Sequence, residues 1–171
     1  MKKSAKKETN ESTAIWIGDF SEHIKEAIDY KEQTQINGFD LSVKEIFSFK
    51  GEGAIDFDNS KRVLPEYIPL KLINNEYWTL NPGYYVIRYN EVVTVPLNAI
   101  GIIQPRSTLL RMGGTIIGAW WDSGYSGRGQ GMLIVGHPIK LYKNARVAQI
   151  VFILSKKVEQ GYKGKYQKIA I

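Results

Sequence analysis

Short apolar runs broken by turn residues dominate the chain from Ile36 onward. Runs over 39–43, 46–49, 77–80, 84–95, 99–103, 115–121, 132–135, 139–142 and 146–154 are rich in β-branched and aromatic residues, and Gly, Pro and Asn separate them. That alternation predicts many short strands closing into an all-β barrel or jelly roll. The turn Asn81-Pro82-Gly83 precedes a long strand or hairpin, and Pro96 ends it. A polar, glycine-containing connection spans 50–61. One helix is predicted: Asp19-Phe20-Ser21-Glu22 has capping-box spacing, with Ile24, Ala27 and Ile28 along one face behind it. The pattern divides the chain into a basic flexible tail over 1–14, a single domain over 15–159, and a polar mobile tail over 160–171.

Composition narrows the classes. At 171 residues and 43% hydrophobic, the chain can bury one core. No apolar run approaches the ~20 residues of a spanning helix, and the charged start lacks the apolar stretch of a secretory signal, so no membrane role is expected. The absence of cysteine removes disulfides, thiolate zinc sites and cysteine nucleophiles, and suits a reducing cytoplasm. The net charge of +6 comes largely from lysines near the two ends. No basic stripe interleaved with aromatics marks a nucleic-acid face, so a small polyanion is the better partner.

The chemistry concentrates between Pro105 and Gln130. Pro105-Arg106-Ser107-Thr108 joins a guanidinium, two hydroxyls and backbone N–H groups, a combination suited to phosphate. Asp122 follows the apolar run 116–121, so its carboxylate is expected at a strand end, placed to take a proton from water or to hold a metal. Gly127-Arg128-Gly129-Gln130-Gly131 is glycine-rich for a strand, which marks close backbone or ligand approach, or a loose bulged hairpin. His23 and His137 have no second histidine or cysteine at metal spacing. A triad of Ser107, His137 and Asp122 lacks a nucleophile elbow.

Gly38-Phe39-Asp40-Leu41, Leu80-Asn81-Pro82-Gly83, Pro105-Arg106-Ser107-Thr108, 118–127 and Arg146-Val147-Ala148-Gln149 occur in the order of the motifs of the dUTP diphosphatase and dCTP deaminase superfamily, which the chain resembles from about Ile36 to its end. The resemblance implies a distorted β jelly roll assembled as a homotrimer with sites at subunit interfaces. It further implies that Arg106, Ser107, Thr108 and Gln149 hold a triphosphate, with Ser107 near the bridging oxygen that leaves. Asp122 would activate the water attacking the α-phosphorus, and Tyr125 would lie under the deoxyribose and exclude a 2′-hydroxyl. Asp40 would help hold Mg²⁺ through water.

Within the superfamily, Arg111 and the tail residues Lys165 and Tyr166 resemble the deaminase branch. Ile169 departs from the glutamine often found there. The metal-free deaminases carry a proton-shuttling glutamate ten residues after the aspartate; here that position is Met132, and no Asp or Glu lies between Asp122 and Glu159. Loss of such a group removes a factor of about 10²–10⁴. The expectation is therefore a dUTP diphosphatase acting on dUTP with Mg²⁺. The alternatives are a dCTP deaminase, a dCTP diphosphatase, or a non-catalytic nucleotide-binding regulator.

Overall fold

A computed structural model describes residues 14–16 and 19–168. In chain order the elements are β1 (Ile24–Lys25), α1 (Tyr30–Gln33), β2 (Thr34–Gln35), β3 (Gly38–Lys50), β4 (Glu66–Pro69), β5 (Tyr77–Leu80), β6 (Gly83–Thr94), β7 (Ala99–Pro105), α2 (Ser107–Arg111), β8 (Gly114–Ile117), β9 (Ser126–Val135), β10 (Ile139–Tyr142) and β11 (Arg146–Leu154). One large sheet runs β7-β11-β3-β6-β9-β8, with β1 added on β6, and β2 and β4 on β3. The ends of this path meet where Gly101 of β7 and Trp121, after β8, exchange both backbone hydrogen bonds, at 2.8 and 3.1 Å. The sheet thereby curls into a nearly closed, distorted jelly roll. A second sheet of β5 and β10 buries Trp78, Leu80, Ile139 and Leu141.

The core fills the inside of the curl. Phe39, Leu41, Val43, Ile87, Tyr89, Leu133, Ile150 and Phe152 come from adjacent strands and are fully buried. Each aliphatic or aromatic side chain placed there contributes roughly 1.5–3 kcal/mol. β3 covers two of the predicted runs, because a register shift between Val43 and Glu45 lets one strand bend without ending. Among the described residues no helix is long and apolar enough to cross a membrane.

Three expectations need correction. The predicted helix behind Asp19 is one turn: Asp19 accepts from the Ser21 amide at 2.8 Å and from its hydroxyl at 2.7 Å, and the chain then leaves as β1 to pair with β6. Ile24 is buried by that pairing while Ile28 is exposed, so no helical face forms. The capped helix lies later, where Asp29 accepts from the Glu32 amide at 3.0 Å. A short helix, α2, follows Arg106 where only a turn was expected. Finally, the strand expected at 132–135 starts at Ser126 and runs through the glycine-rich stretch, with a register shift against β6 between Arg88 and Val92.

Candidate active site

Two groups of predicted site residues stand at opposite ends of β7. At its C-terminal end the chain turns through Arg106 into α2, whose Leu109 is buried and whose Ser107, Thr108 and Arg111 are exposed. Ser107 and Arg111 are four residues apart and so share a helix face. Beneath them, Asp40 of β3 is nearly inaccessible, its side chain 2% exposed. Its Oδ2 receives Arg106 Nε at 3.0 Å and Arg146 Nη1 at 3.4 Å. Arg106 Nη1 also donates to the Arg146 carbonyl at 3.4 Å, and Arg146 donates to the Glu32 carbonyl. Gln149 is the register partner of both Asp40 and Gln104, which places it centrally on β11 beside this cluster. Burial pushes the Asp40 carboxyl above the usual range, and the Arg106 and Arg146 guanidinium groups pull it back.

Asp40 is also the residue expected at the metal. The expected role was to hold a metal through water. The side chain is buried and bonded to two guanidinium groups, those of Arg106 and Arg146. No group of three or more His, Asp or Glu among the described residues could hold a bare ion. The residues thus do not fit a protein cage for Mg²⁺.

At the other end of β7, Trp121 pairs with Gly101 and the chain turns through 122–125. The turn is pinned from several sides. Ser123 Oγ donates to the Ala99 carbonyl at 2.6 Å, the Gly124 amide to the Val95 carbonyl at 3.0 Å, and the Tyr125 amide to the Asp122 carbonyl at 3.0 Å. Gly124 has φ +78°, and a Cβ there would meet Gly161 Cα at 2.6 Å, so glycine is required twice over. Asp122 is exposed, as a strand-end carboxylate was expected to be.

Asp122 opens onto a cleft of about 560 Å³ whose wall includes Trp120, Trp121, Tyr125, Tyr162 and Tyr166. Among the described lining residues it is the only acid. Tyr125 meets Trp121 and Tyr162 edge-on at 5.3 and 5.8 Å. Burial, with Tyr162 adding to it, pushes the Tyr125 hydroxyl up to about 12, so it remains a neutral, rigid ring at physiological pH. The glycine-rich part of β9 serves this wall. A Cβ on Gly129 would lie 2.0 Å from Trp121 Cη2, so the missing side chain is the space the indole occupies.

The tail packs against its own chain's turn. The Tyr162 amide donates to the Ser123 carbonyl at 2.8 Å. Gln167 brackets the turn, its Nε2 donating to the Gly124 carbonyl at 3.0 Å and its Oε1 accepting from the Ser126 amide at 2.9 Å. Tyr166 reaches the cleft and Lys165 is exposed. Ile169 lies outside the described residues.

The two groups do not meet within one chain. Five residues of extended strand separate Gly101 from Arg106, roughly 17 Å. The cleft lining contains Asp122, Tyr125 and Tyr166 but not Arg106, Ser107, Thr108, Arg111 or Gln149. Between them lies a second cleft of about 500 Å³, whose lining includes Gln104, Pro105, Leu110, Thr115 and Trp120. No hydrogen bond joins Ser107, His137 and Asp122 among the described residues, so no triad is assembled. His23 packs edge-on against Trp16 and Phe152, where burial pushes its pKa down. Arg128, within the glycine-rich stretch, is buried, donating to the Asn90 carbonyl and paired with Glu26 at 2.6 Å. Arg88 also lines the cleft, and a lone arginine inside the apolar run of β6 is the sequence signal for it.

With this geometry in view, comparison with known proteins adds an independent line. The profile of a family described as dCTP deaminase-like matches residues 12–155. A protein of Methanosarcina mazei named "Probable deoxyuridine 5'-triphosphate nucleotidohydrolase" is 44% identical over 147 residues, covering 84% of this chain and 86% of that one. The deoxyuridine 5'-triphosphate nucleotidohydrolase of Methanocaldococcus jannaschii is 44% identical over 138 residues, covering 80% and 88%. Among solved structures, the 2'-deoxycytidine 5'-triphosphate deaminase of Agrobacterium tumefaciens superposes with a TM-score of 0.57 at 16% identity over 80% of this chain, which spans 45% of that structure's length. That last likeness is one of fold.

Proposed function

The chain belongs to the dCTP deaminase-like family, and on that footing we propose that it is an enzyme hydrolysing dUTP to dUMP and pyrophosphate. The observation that carries the mechanism is Asp122, an exposed carboxylate fixed by a pinned turn at the edge of an aromatic cleft. In this reading Asp122 takes a proton from the water that attacks the α-phosphorus. The bond to the bridging oxygen breaks, and pyrophosphate leaves with its charge held by donors. Arg106, Ser107, Thr108, Arg111 and Gln149 are those donors, and Lys165 and Tyr166 add to them from the tail. Arg106 suits the task because Asp40 already fixes its orientation, so little ordering remains to be done on binding. Tyr125 lies under the deoxyribose.

The separation of the two groups along β7 supports a site completed by a second copy, and a homotrimer meets that need with a repeated head-to-tail interface. The second cleft, lined by Leu110 and Trp120 among others, offers a surface for such contact. Mg²⁺ would enter on the triphosphate, keeping several waters and using phosphate oxygens, since the described residues supply no cage of three or more ligands. When bound it would offset phosphate charge.

The test is incubation of the purified protein with Mg²⁺ and, separately, dUTP, dCTP or UTP, with all products resolved. dUMP and pyrophosphate from dUTP are expected, with little from UTP. Ammonia from dCTP would establish deamination despite Met132, and no product from any of the three would leave a binding protein.

A further inference from the structure

A second buried carboxylate lies behind the Arg106 end of β7, and the chemistry proposed above does not use it. Glu91 of β6 is fully buried. Its Oε1 accepts from Gln33 Nε2 at 2.6 Å and from Ser42 Oγ at 2.5 Å, and its Oε2 from the Ser42 amide at 3.0 Å. Gln33, the last residue of α1, is 2% exposed, and both ends of its carboxamide are engaged. Its Nε2 also donates to the Asp40 carbonyl at 2.8 Å, and its Oε1 accepts from the Asp29 amide at 3.0 Å. Beside Glu91, Asn90 donates to Ser42 Oγ at 2.9 Å and to Asn144 Oδ1 at 3.1 Å.

These bonds converge on Arg146 from two sides. α1 is a single turn, too short to hold its own place, and Gln33 is its buried residue. Anchoring Gln33 therefore seats the neighbouring Glu32, whose carbonyl accepts from Arg146 and whose carboxylate lies 3.9 Å from Arg146 Nη2. On the other side, Asn144 stands two residues before Arg146, in the turn that opens β11. Arg146 in turn shares Asp40 Oδ2 with Arg106. Burying a carboxylate and a carboxamide is costly, and an apolar pair of similar size would fill the space without that cost. What the hydrogen bonds add is direction, since each is strong in one geometry only.

We propose that Gln33 and Glu91 are positioning residues for the triphosphate clamp, an inference that rests on the dUTP reading above. Neither touches the nucleotide. Glu91 fixes the Gln33 carboxamide, Gln33 fixes α1 against β3, and α1 sets the direction of Arg146. Arg146 and the Asp40 carboxylate then settle the Arg106 guanidinium before phosphate arrives. The Asp122 cleft stands at the far end of β7 and takes no part in this chain of bonds, so the two ends of the site should respond differently when it is cut.

The experiment measures binding of magnesium pyrophosphate and of dUMP to the full chain by titration calorimetry, with dUTP hydrolysis and thermal melting alongside. Pyrophosphate probes the clamp and dUMP the Asp122 cleft. Gln33→Met should weaken pyrophosphate binding roughly tenfold and leave dUMP binding within about twofold, because a misdirected clamp is felt only by the groups it holds. Ile46→Val, a core truncation farther along β3, lowers stability and should weaken neither. In Gln33→Met combined with Arg146→Met, the loss should fall short of the product of the two single losses, since one acts through the other. Gln33→Met takes a donor from buried Glu91; if it does not fold, the isosteric Glu91→Gln carries the test, with a loss of about threefold for pyrophosphate alone. Equal weakening of both ligands, or unchanged pyrophosphate binding in a folded variant, would overturn this proposal while leaving the hydrolysis intact. A wild-type protein inert toward dUTP would overturn the activity reading and this inference with it.

Discussion

At one end of β7 the charges are already paired; at the other a single carboxylate stands in the open. Asp40 is buried and pairs with the half-buried Arg106 and Arg146, so that end presents a guanidinium whose direction is settled before any ligand arrives. Asp122 has only a pinned backbone beneath it and aromatic rings beside it. The difference follows from the tasks proposed for each. A clamp for a fixed polyanion gains from rigidity, since ordering is done during folding. A base that removes a proton from water gains from access.

Substitutions can break that contrast from either side. The largest expected effect is at the open end. Asp122→Asn should lower kcat by about 10²–10⁴-fold while nucleotide binding and melting temperature stay near wild type, because nothing structural depends on its charge. Full activity in that variant would remove Asp122 from the chemistry. The paired end should fail differently: Asp40→Ala leaves two guanidinium groups without their buried partner and should cost about 3 kcal/mol in denaturant unfolding, with triphosphate affinity falling as Arg106 loses its direction. Unaltered stability would show that the cluster is not what holds Arg106.

Gly129→Ala tests the wall of the open cleft. Its new methyl must displace the Trp121 indole, so a loss of about 1–3 kcal/mol is expected, with KM rising more than kcat falls. The smallest effect is at Glu91, fully buried in β6 and accepting from Gln33, the Ser42 amide and the Ser42 hydroxyl. Burial raises its pKa against those hydrogen bonds. A raised carboxyl favours the protonated form in the folded state. Its contribution is thus full below the ordinary carboxylate range and is lost as pH rises through the folded value. Glu91→Gln, which cannot ionise, should gain on wild type in urea stability as pH rises from 4 to 8; parallel curves would show that Glu91 does not titrate in that window.

Much of this architecture was legible in the sequence because β-rich runs and turn residues are local signals. β5, β7, β10 and β11 lie where the apolar runs predicted them. The helix behind Asp19 was misread because its capping box is real but only one turn long, and pairing of Ile24 with Val93 outweighs helix propensity. The glycines of β9 hid a strand because their causes, the Trp121 indole at Gly129 and the Tyr89 hydroxyl at Gly131, come from elsewhere in the fold. The motif order exposed Asp122, Arg106 and Ser107. It could not show that Asp40 is spent on two arginines, nor that Arg88 and Gln130 face the same cleft, since register across β6 and β9 is a property of the fold alone.

The most direct test of a site divided between copies is complementation. Asp122→Asn and Arg106→Ala damage opposite ends of β7, and each protein alone should be nearly inactive toward dUTP. Co-expressed in equal amounts and assembled at random, they should recover about a quarter of wild-type activity, because one in four interfaces joins an intact Arg106 to an intact Asp122. Mixed assemblies that remain as inactive as the parents would contradict the account and place both ends of the site within a single chain.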